Sequence, residues 1–322
     1  MSGMISDSGS RGRTRLAPSP TGALHVGNAR TFLINWALAK QHDWEIVLRV
    51  ENLDTPRNRP GATEQAIEDL RWLGLDWDEG PSFQLDDLSP YENALKQLKD
   101  AGQTYPCPAT RREIVAAASA PHLDDHELRY PGLYRPPVAP PIDPDAEVAT
   151  RVIVPDGDVS FVDRLAGEQT HDVQQQVGDF VLSTKTGLPA YQLAVVVDDH
   201  RQGITDIVRG DDLLRSTARQ IVLQRLLGIE PTPTYWHVPL VVDEDGRRMA
   251  KRRGDTRLAS LREQGVSTER MVSLLARLSG WDDAPPEMSA AQFAEGFSLN
   301  QLSRRPVAFT QGDLAWLLQN NQ

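Results

Sequence analysis

The sequence predicts an α/β protein built around a parallel sheet, and the order of its first four elements is the main reason. An apolar strand over residues 14–17 runs into a loop rich in proline and glycine, and a helical pattern follows over residues 26–40. A second strand, residues 45–50, precedes another helix that begins after Gly61. Strands that alternate with helices in this way pair in parallel, because each helix returns the chain to the same edge of the sheet.

Each of these helices is predicted from apolar residues at helical spacing. The residues are Phe32, Trp36 and Ala39 in the first helix, and Ile67, Leu70 and Leu73 in the second. Residues 45–50, EIVLRV, have the length and composition of a buried strand. Ser89 and Pro90 predict a third helix over residues 90–100, because serine is a good N-cap and proline is favoured at the first helical position.

The rest of the chain gives a mixed pattern. Residues 121–155 are rich in proline and predict an irregular connector. Strands are predicted at residues 151–154, 180–183, 193–197 and 238–242, and helices at 213–227, 270–278 and 314–318. The predicted domains are a loose tail (1–12), two halves of the main α/β domain (13–104 and 189–257), an inserted α+β subdomain (105–188) and a short helical C-terminal region (258–322).

Composition limits the class of protein. Hydrophobic residues make up 39% of the 322 residues and charged residues 25%, which is ordinary for a globular protein. No apolar run reaches the roughly 20 residues that span a bilayer, and residues 1–12 lack the apolar core of a signal peptide. The single cysteine, Cys107, excludes an intrachain disulfide and fits the reducing cytoplasm, where we expect the protein to be located.

The net charge of −11 argues against a nucleic-acid partner, because contacts to phosphates need cations. The distribution of charge argues the other way in one segment. Residues 247–257, RRMAKRRGDTR, carry six cations and one aspartate. This composition is as typical of a solvated loop as of a phosphate-binding loop, so its meaning depends on the motifs elsewhere in the chain.

Residues 15–30, RLAPSPTGALHVGNAR, are the predicted site for a polyphosphate. Backbone N–H groups at a helix start lack helical partners, and the helix dipole favours an anion there. Gly22 and Gly27 allow a ligand to approach the backbone, and His25 can donate a hydrogen bond to a phosphoryl oxygen. A lone His-x-Gly is more typical of a tight turn with a surface histidine, so the interpretation needs the wider pattern.

That wider pattern resembles the glutamyl subgroup of the class I aminoacyl-tRNA synthetases. PSPTGALHVGNART looks like the HIGH-type signature of that family, with residues 25–28 as the motif itself. The resemblance continues, in the order that the family requires, through residues 48–61 (LRVENLDTPRNRPG), 188–214 and 248–252 (RMAKR). It covers most of the chain up to about Leu261. It implies a Rossmann-like catalytic domain that uses ATP with Mg²⁺ to activate glutamate.

The resemblance also implies two sets of site residues. The implied ATP-binding residues are Pro18, Thr21, Gly22, His25, Gly27, Asn28 and Lys251, with His25 and Lys251 as the catalytic pair that stabilises charge on the phosphates. The implied glutamate-binding residues are Arg15, Ser19, Glu51, Tyr191 and Arg209. This set suits glutamate, whose two carboxylates need cationic partners and whose ammonium needs an anion.

Three positions depart from the family pattern, and two aspartates within the matching segments have no catalytic role assigned to them. Ala250 and Arg252 replace serines of the family's lysine motif, and Asn52 replaces an aspartate that is common at its position. Asp198 and Asp199 are expected to shape the nearby loop without a catalytic role.

The length indicates one branch of the family. In the sequence 71 residues follow Lys251, which is too few for the helical domain with which full-length glutamyl-tRNA synthetases read the anticodon. The chain therefore resembles the glutamyl-Q tRNA(Asp) synthetases, which activate glutamate without tRNA and esterify it to the queuosine base of tRNA(Asp). The alternatives are a glutamyl-tRNA synthetase, whole or truncated, that charges the tRNA 3′ end, a non-catalytic RNA-binding paralogue, and a nucleotidyltransferase of the wider superfamily. Intact His25 and Lys251 weigh against the non-catalytic paralogue.

A zinc site of many relatives is expected to be absent. Those relatives carry a Cys-x-Cys pair in the insertion, then a tyrosine and a further cysteine four residues beyond it. Here Cys107 and Tyr130 match, whereas Ala109 and Tyr134 fill the other two cysteine positions. One thiolate does not supply the four ligands of a structural zinc site. The alternative metal-binding set is Cys107 with His122 and His126.

Overall fold

The computed structural model describes residues 11–117, 129–247 and 256–319. The strands are β1 Arg13–Leu16, β2 Glu45–Val50, β3 Glu79–Phe83, β4 Thr104–Cys107, β5 Ala149–Val152, β6 Asp158–Asp163, β7 Gly167–Asp172, β8 Val181–Ser183, β9 Asp206–Gly210, β10 Thr234–Val238, β11 Val241–Val242 and β12 Val307–Ala308. The helices are α1 Val26–Gln41, α2 Ala62–Trp72, α3 Ser89–Asp100, α4 Arg111–Ala117, α5 Val173–Gln176, α6 Tyr191–Arg201, α7 Leu214–Leu227, α8 Leu258–Glu263, α9 Thr268–Leu278, α10 Ala290–Gly296 and α11 Gln311–Leu318. Within these ranges, no helix has the length and apolar character needed to cross a membrane.

The central sheet has two halves, each a separate set of paired strands, which lie side by side. β1, β2 and β3 pair in parallel, and so do β9, β10 and β6, with β7 antiparallel at the far edge. The halves meet where β9 lies beside β1. There the Thr205 N–H donates to the Arg13 carbonyl oxygen at 2.9 Å, and the Arg13 N–H donates to Thr205 Oγ1 at 2.7 Å. The parallel sheet predicted from the sequence is confirmed.

Helix α1 lies at the centre of the larger core, packed against β1 and β9 on one side and α9 and α10 on the other. Its residues 33–39 are all buried, so the helix has no solvent-facing stripe in this part. Arg30 is also fully buried, and its guanidinium donates to the Pro239 carbonyl oxygen at 2.6 Å and to Ser279 Oγ at 3.2 Å. Burial lowers the pKa of Arg30 to about 10. These bonds fix α1 relative to the segment that follows β10.

The inserted region has its own small core. β4, β5 and β8 form an antiparallel sheet, and Tyr105, Cys107, Ile114 and Tyr130 pack together beside it. The bounds predicted for this insertion, residues 105–188, remain a prediction.

One prediction of secondary structure was wrong, and two others were wrong in part. Residues 193–197, predicted as a strand, lie within α6, because a short apolar run fits a buried helix as well as a strand. The strand predicted over residues 238–242 is divided into β10 and β11 at Pro239, which has no N–H for a sheet hydrogen bond. Ser89 is the first residue of α3 rather than its cap, and its hydroxyl donates to Asp87 Oδ1 at 2.6 Å.

Candidate active site

A cleft of about 350 Å³ opens at the carboxyl ends of β1 and β9, where the two halves of the sheet meet. Ligands of open α/β sheets bind at such a position, and the volume is in the range of small-molecule sites. Seven of the residues implied by the family resemblance line the cleft: Arg15, His25, Gly27, Asn28, Glu51, Tyr191 and Arg209. They come from parts of the chain that are far apart in sequence.

The other implied residues do not line this cleft or cannot be placed. Pro18 is buried, and its carbonyl oxygen accepts the Glu51 N–H at 3.0 Å, so the loop packs on the end of β2. Ser19 and Thr21 are exposed, and a side chain at Gly22 would meet no atom within 4 Å. Lys251 lies outside the described residues. The predicted roles of these residues therefore remain predictions.

His25 is the N-cap of α1. Its Nδ1 accepts the N–H of Gly27 at 3.1 Å and of Asn28 at 3.4 Å, while Asn28 Oδ1 accepts the His25 N–H at 3.3 Å. The N–H of Val26 donates to the Thr256 carbonyl oxygen at 3.1 Å. We expected unpaired N–H groups to bind a phosphate here. Instead, the N–H groups of His25, Gly27 and Asn28 are paired within the cap, and that of Val26 is paired with the Thr256 carbonyl oxygen.

The cap fixes the tautomer of His25. A neutral imidazole that accepts through Nδ1 carries its proton on Nε2. Burial lowers the pKa of His25, which favours this neutral form. His25 can therefore donate through Nε2 to a phosphoryl oxygen in the cleft, beside the positive end of the α1 dipole.

Arg209 is a buried cation, and its hydrogen-bond acceptors among the described residues are all neutral. Its Nε donates to His237 Nε2 at 3.0 Å, and its Nη2 donates to Thr217 Oγ1 at 2.9 Å and Gln220 Oε1 at 2.7 Å. Its Nη1 is buried without an acceptor among the described residues. A buried cation is stable when an anion lies beside it, so this side of Arg209 suits the carboxylate of a ligand.

Arg15 and Arg49, by contrast, share a carboxylate of the protein. Asp199 Oδ1 is 3.2 Å from Arg15 Nε and 2.8 Å from Arg49 Nη2, and Arg49 Nη2 also lies 3.0 Å from Glu51 Oε1. Burial alone would raise the pKa of Asp199, but Arg49 and Arg15 hold it below its usual value. The network therefore keeps Asp199 ionised and places Arg15 and Glu51 at the cleft wall.

Asp198 supports the same network from behind. Its carboxylate accepts the hydroxyl of Tyr91 at 2.9 Å and the amide of Gln84 at 2.8 Å, and it lies 4.0 Å from Arg49 Nε. We expected Asp198 and Asp199 to shape a loop, but both lie in α6 and orient arginines. The error follows from the wrong assignment of this segment as a strand.

Several residues that line the cleft or support its wall were not predicted from the sequence. Arg49 has a signal in the sequence, because a charged residue within the apolar run EIVLRV needs a buried partner. Gly210 has none, although a side chain there would approach Asp212 Oδ1 to 2.8 Å. Leu240 and Val241 line the cleft next to α1, whereas the sequence predicted them only as part of a strand.

Cys107 and Tyr130, the two residues that match the zinc motif of the relatives, pack against each other in the small core. Cys107 Sγ lies 3.4 Å from the Tyr130 hydroxyl, which accepts the Tyr134 N–H at 3.0 Å. Across residues 11–117, 129–247 and 256–319, no group of three or more histidine, cysteine, aspartate or glutamate side chains is placed to hold a metal ion. His122 and His126, the alternative ligands, lie outside these ranges.

Comparison with known proteins identifies the family. The family model described as tRNA synthetases class I (E and Q), catalytic domain, matches residues 12–316. The chain belongs to this family. As a member of the class I synthetases for glutamate and glutamine, the protein is a ligase.

Two relatives and one solved structure place the chain within the class I synthetases. It is 48% identical to the glutamyl-Q tRNA(Asp) synthetase of Rhodopirellula baltica over 83% of this chain and 84% of the relative. It is 42% identical to the protein of the same name from Symbiobacterium thermophilum over 94% and 97% of the two chains. The crystal structure of glutamate-tRNA synthetase from Elizabethkingia anophelis superposes with a TM-score of 0.81 at 25% identity, over 96% of this chain and 70% of that one.

Proposed function

We propose that this protein activates L-glutamate with ATP, without tRNA, and transfers the glutamyl group to the queuosine base of tRNA(Asp). The observation that carries the first step is Arg209, a buried guanidinium in the cleft whose Nη1 has no acceptor in the described part of the chain. One carboxylate of glutamate would supply the missing anion. Arg15 would contact the other carboxylate, and Glu51 would take the ammonium.

ATP fits the remaining groups of the cleft. The Nε2–H of His25 and the positive end of the α1 dipole would stabilise phosphoryl oxygens, and Leu240 and Val241 offer an apolar surface for a base. Mg²⁺ would neutralise charge on the triphosphate, and it is usually held largely by phosphate oxygens and water. Lys251 would approach the phosphates from its basic segment, as the family resemblance implies.

The reaction then has two steps. The glutamate α-carboxylate attacks the α-phosphorus of ATP, and pyrophosphate leaves. A hydroxyl of queuosine attacks the carbonyl carbon of glutamyl-adenylate, its proton is lost, and AMP leaves. Because the adenylate is already activated, the second step needs orientation of the two reactants rather than a protein nucleophile.

The choice of acceptor is supported by the relatives. Proteins named glutamyl-Q tRNA(Asp) synthetase align with this chain at 48% and 42% identity over 84% and 97% of their lengths. A protein named glutamate–tRNA ligase, from Nitrosospira multiformis, aligns at 39% identity, and this chain covers only 66% of its length. These similarities favour the queuosine acceptor over the tRNA 3′ end.

Pyrophosphate exchange tests the activation step. We expect ATP–pyrophosphate exchange with glutamate and no tRNA, and little exchange with aspartate or glutamine as matched controls. Exchange only in the presence of tRNA would contradict tRNA-independent activation. Absence of exchange under every condition would support a non-catalytic paralogue.

Two forms of tRNA(Asp) test the acceptor. One form contains queuosine but lacks the 3′-terminal adenosine, and the other has an intact 3′ end but guanine in place of the queuosine base. We expect radiolabelled glutamate to be transferred only to the first form. Transfer only to the second form, or only to the 3′ end of tRNA(Glu), would identify a glutamyl-tRNA synthetase and contradict the proposed acceptor.

A further inference from the structure

Three side chains form a row across adjacent strands that ends at the cleft. His237 on β10 is the register partner of Arg209 on β9, so the two side chains lie next to each other on one face of the sheet. Asp163, at the end of β6, is paired with Tyr235, two residues before His237. Asp163 and His237 are each about 1% exposed, so water does not compete for their contacts.

The contacts along this row have a fixed direction. Arginine has no acceptor, so the bond of 3.0 Å between Arg209 Nε and His237 Nε2 requires a lone pair on Nε2. The imidazole proton is then on Nδ1, which donates to Asp163 Oδ2 at 2.6 Å. Burial and the charge of Arg209 lower the pKa of His237 against the opposing effect of Asp163, in agreement with a neutral ring.

We propose that Asp163 and His237 are positioning residues for the substrate carboxylate, and that they act by holding Arg209 through the Nδ1–H tautomer of His237. This inference rests on the proposed function, because it takes Arg209 as the contact for glutamate. With Nε anchored by His237 and Nη2 by Thr217 and Gln220, rotation of the guanidinium is blocked and Nη1 stays directed at the ligand. A cation held in advance loses less entropy when the carboxylate binds.

The substitution Asp163→Asn tests the tautomer without removing the other contacts of this side chain. Asp163 Oδ1 accepts the N–H groups of Leu165 at 2.9 Å and Ala166 at 2.7 Å. In the variant these two donors require the amide oxygen on their side. The amide NH₂ then faces His237 Nδ1, which must accept, and the ring proton moves to Nε2. An Nε2–H cannot accept from Arg209, so the anchor is lost.

Steady-state pyrophosphate exchange, with glutamate and ATP varied separately, measures the effect. We expect Asp163→Asn to raise the KM for glutamate by roughly 10- to 100-fold, the range for loss of a hydrogen bond to a charged group. The KM for ATP should change less than twofold. Tyr235→Phe is the matched control. It removes a buried hydroxyl, which accepts from Gln224, from the same strand as His237, and it leaves the contacts between Asp163, His237 and Arg209 intact. It should leave both KM values unchanged.

Nitrogen-15 NMR of histidine-labelled protein gives a second readout that does not depend on activity. His237→Gln assigns the signal by its disappearance. We expect the Nδ1–H tautomer in the wild type and the Nε2–H tautomer in Asp163→Asn. A wild-type ring protonated on Nε2 overturns the inference even if the variant does not fold.

The kinetic outcomes separate this inference from the proposed function. Wild-type exchange with glutamate, together with an unchanged glutamate KM in Asp163→Asn, overturns the inference and leaves the proposed function in place. Equal changes in both KM values also overturn it, because they indicate a general structural role. Absence of glutamate-dependent exchange in the wild type overturns the proposed function, and with it this role for the pair.

Discussion

The imidazole of His25 and the backbone of Gly27 are in direct contact: Nδ1 accepts the Gly27 N–H at 3.1 Å, and a methyl group on Gly27 would lie 3.0 Å from the ring carbon Cε1. One side chain thus caps α1 through Nδ1 and presents Nε2 to the cleft. Its two roles can be separated by substitution.

We expect His25→Asn to keep the stability of the protein and to lose most of its activity. Asparagine is a good N-cap, so its side chain can accept the same backbone donors, but it does not reach the position of Nε2. His25→Ala loses both roles, with a free energy of unfolding lower by about 1 kcal/mol. Pyrophosphate exchange should fall by roughly 100-fold or more in both variants. Near-normal exchange in His25→Asn would exclude a role for Nε2.

Gly27→Ala should displace the His25 ring and lower kcat for exchange by about tenfold, because small shifts of a catalytic group are costly. The added methyl group lies too close to the imidazole for ordinary contact. Gly312→Ala is a matched control, since Gly312 is also the second residue of a helix and its nearest neighbour would be Thr310 Oγ1 at 3.4 Å. The control should keep full activity. Equal kcat values for the two variants would refute a displacement of His25.

Arg209→Lys should weaken glutamate binding by roughly 10- to 100-fold. A lysine ammonium keeps the charge but cannot make the three bonds to His237, Thr217 and Gln220 while facing the ligand. Isothermal titration with glutamate measures the affinity, and Arg225→Lys, at an exposed position on α7, is the control. Unchanged affinity in Arg209→Lys would remove Arg209 from the glutamate pocket.

Asp69→Asn should stabilise the protein more at pH 8 than at pH 4. Asp69 is fully buried, and burial raises its pKa to about 6, against the partial effect of a bond from Gln65. As the pH rises from about 4 to about 6, the unfolded wild-type chain loses the Asp69 proton before the folded chain does. The free energy of unfolding of the wild type therefore falls over this range and stays lower above pH 6. This pKa shift corresponds to a difference of about 3 kcal/mol at most in the free energy of unfolding.

Urea unfolding of Asp69→Asn at the two pH values measures this difference. Glu64→Gln, an exposed change on the same helix, should show no such pH-dependent gain. A gain that is equal at pH 4 and pH 8 would show that ionisation of Asp69 is not its cause.

Elemental analysis of protein purified without chelator should find zinc far below one atom per chain. The Tyr130 hydroxyl is bonded to Cys107 and Tyr134, and the Arg151 guanidinium carbon lies 3.8 Å from the centre of the Tyr130 ring. Burial, with Cys107 beside it, raises the pKa of Tyr130 to about 12, so it remains a neutral phenol. Stoichiometric zinc that is lost in Cys107→Ala would contradict the expected loss of this site.

The elements near the amino terminus were predictable because each carries a local signal. The run EIVLRV and the apolar stripe of α1 gave β2 and α1 within a residue of their observed bounds. The segment LAVVV gave no period that distinguishes helix from strand, so α6 was assigned wrongly. The hairpin of β6 and β7 was missed because its alternating polar residues are exposed and lack a strong apolar pattern.

The candidate site was predictable only where a motif named its residues. Neither Asp163 nor His237 stands out in the sequence, because their meaning arises from the strand register that places them beside Arg209. The same holds for Asp199, which matters through two arginines that are 150 and 184 residues away in the chain. Long-range pairing of this kind has no local pattern.

The double use of His25 also limits how the family can diverge. A lineage that gave up adenylate chemistry but still needed a folded α1 would remain under selection for a side chain that accepts the Gly27 and Asn28 N–H groups. Asparagine, serine, threonine and aspartate meet that demand, whereas alanine and branched apolar residues do not. Inactive paralogues should therefore have one of these four residues in place of histidine. The amino acid at this position would then show whether selection for adenylate chemistry was lost while selection for the helix cap remained.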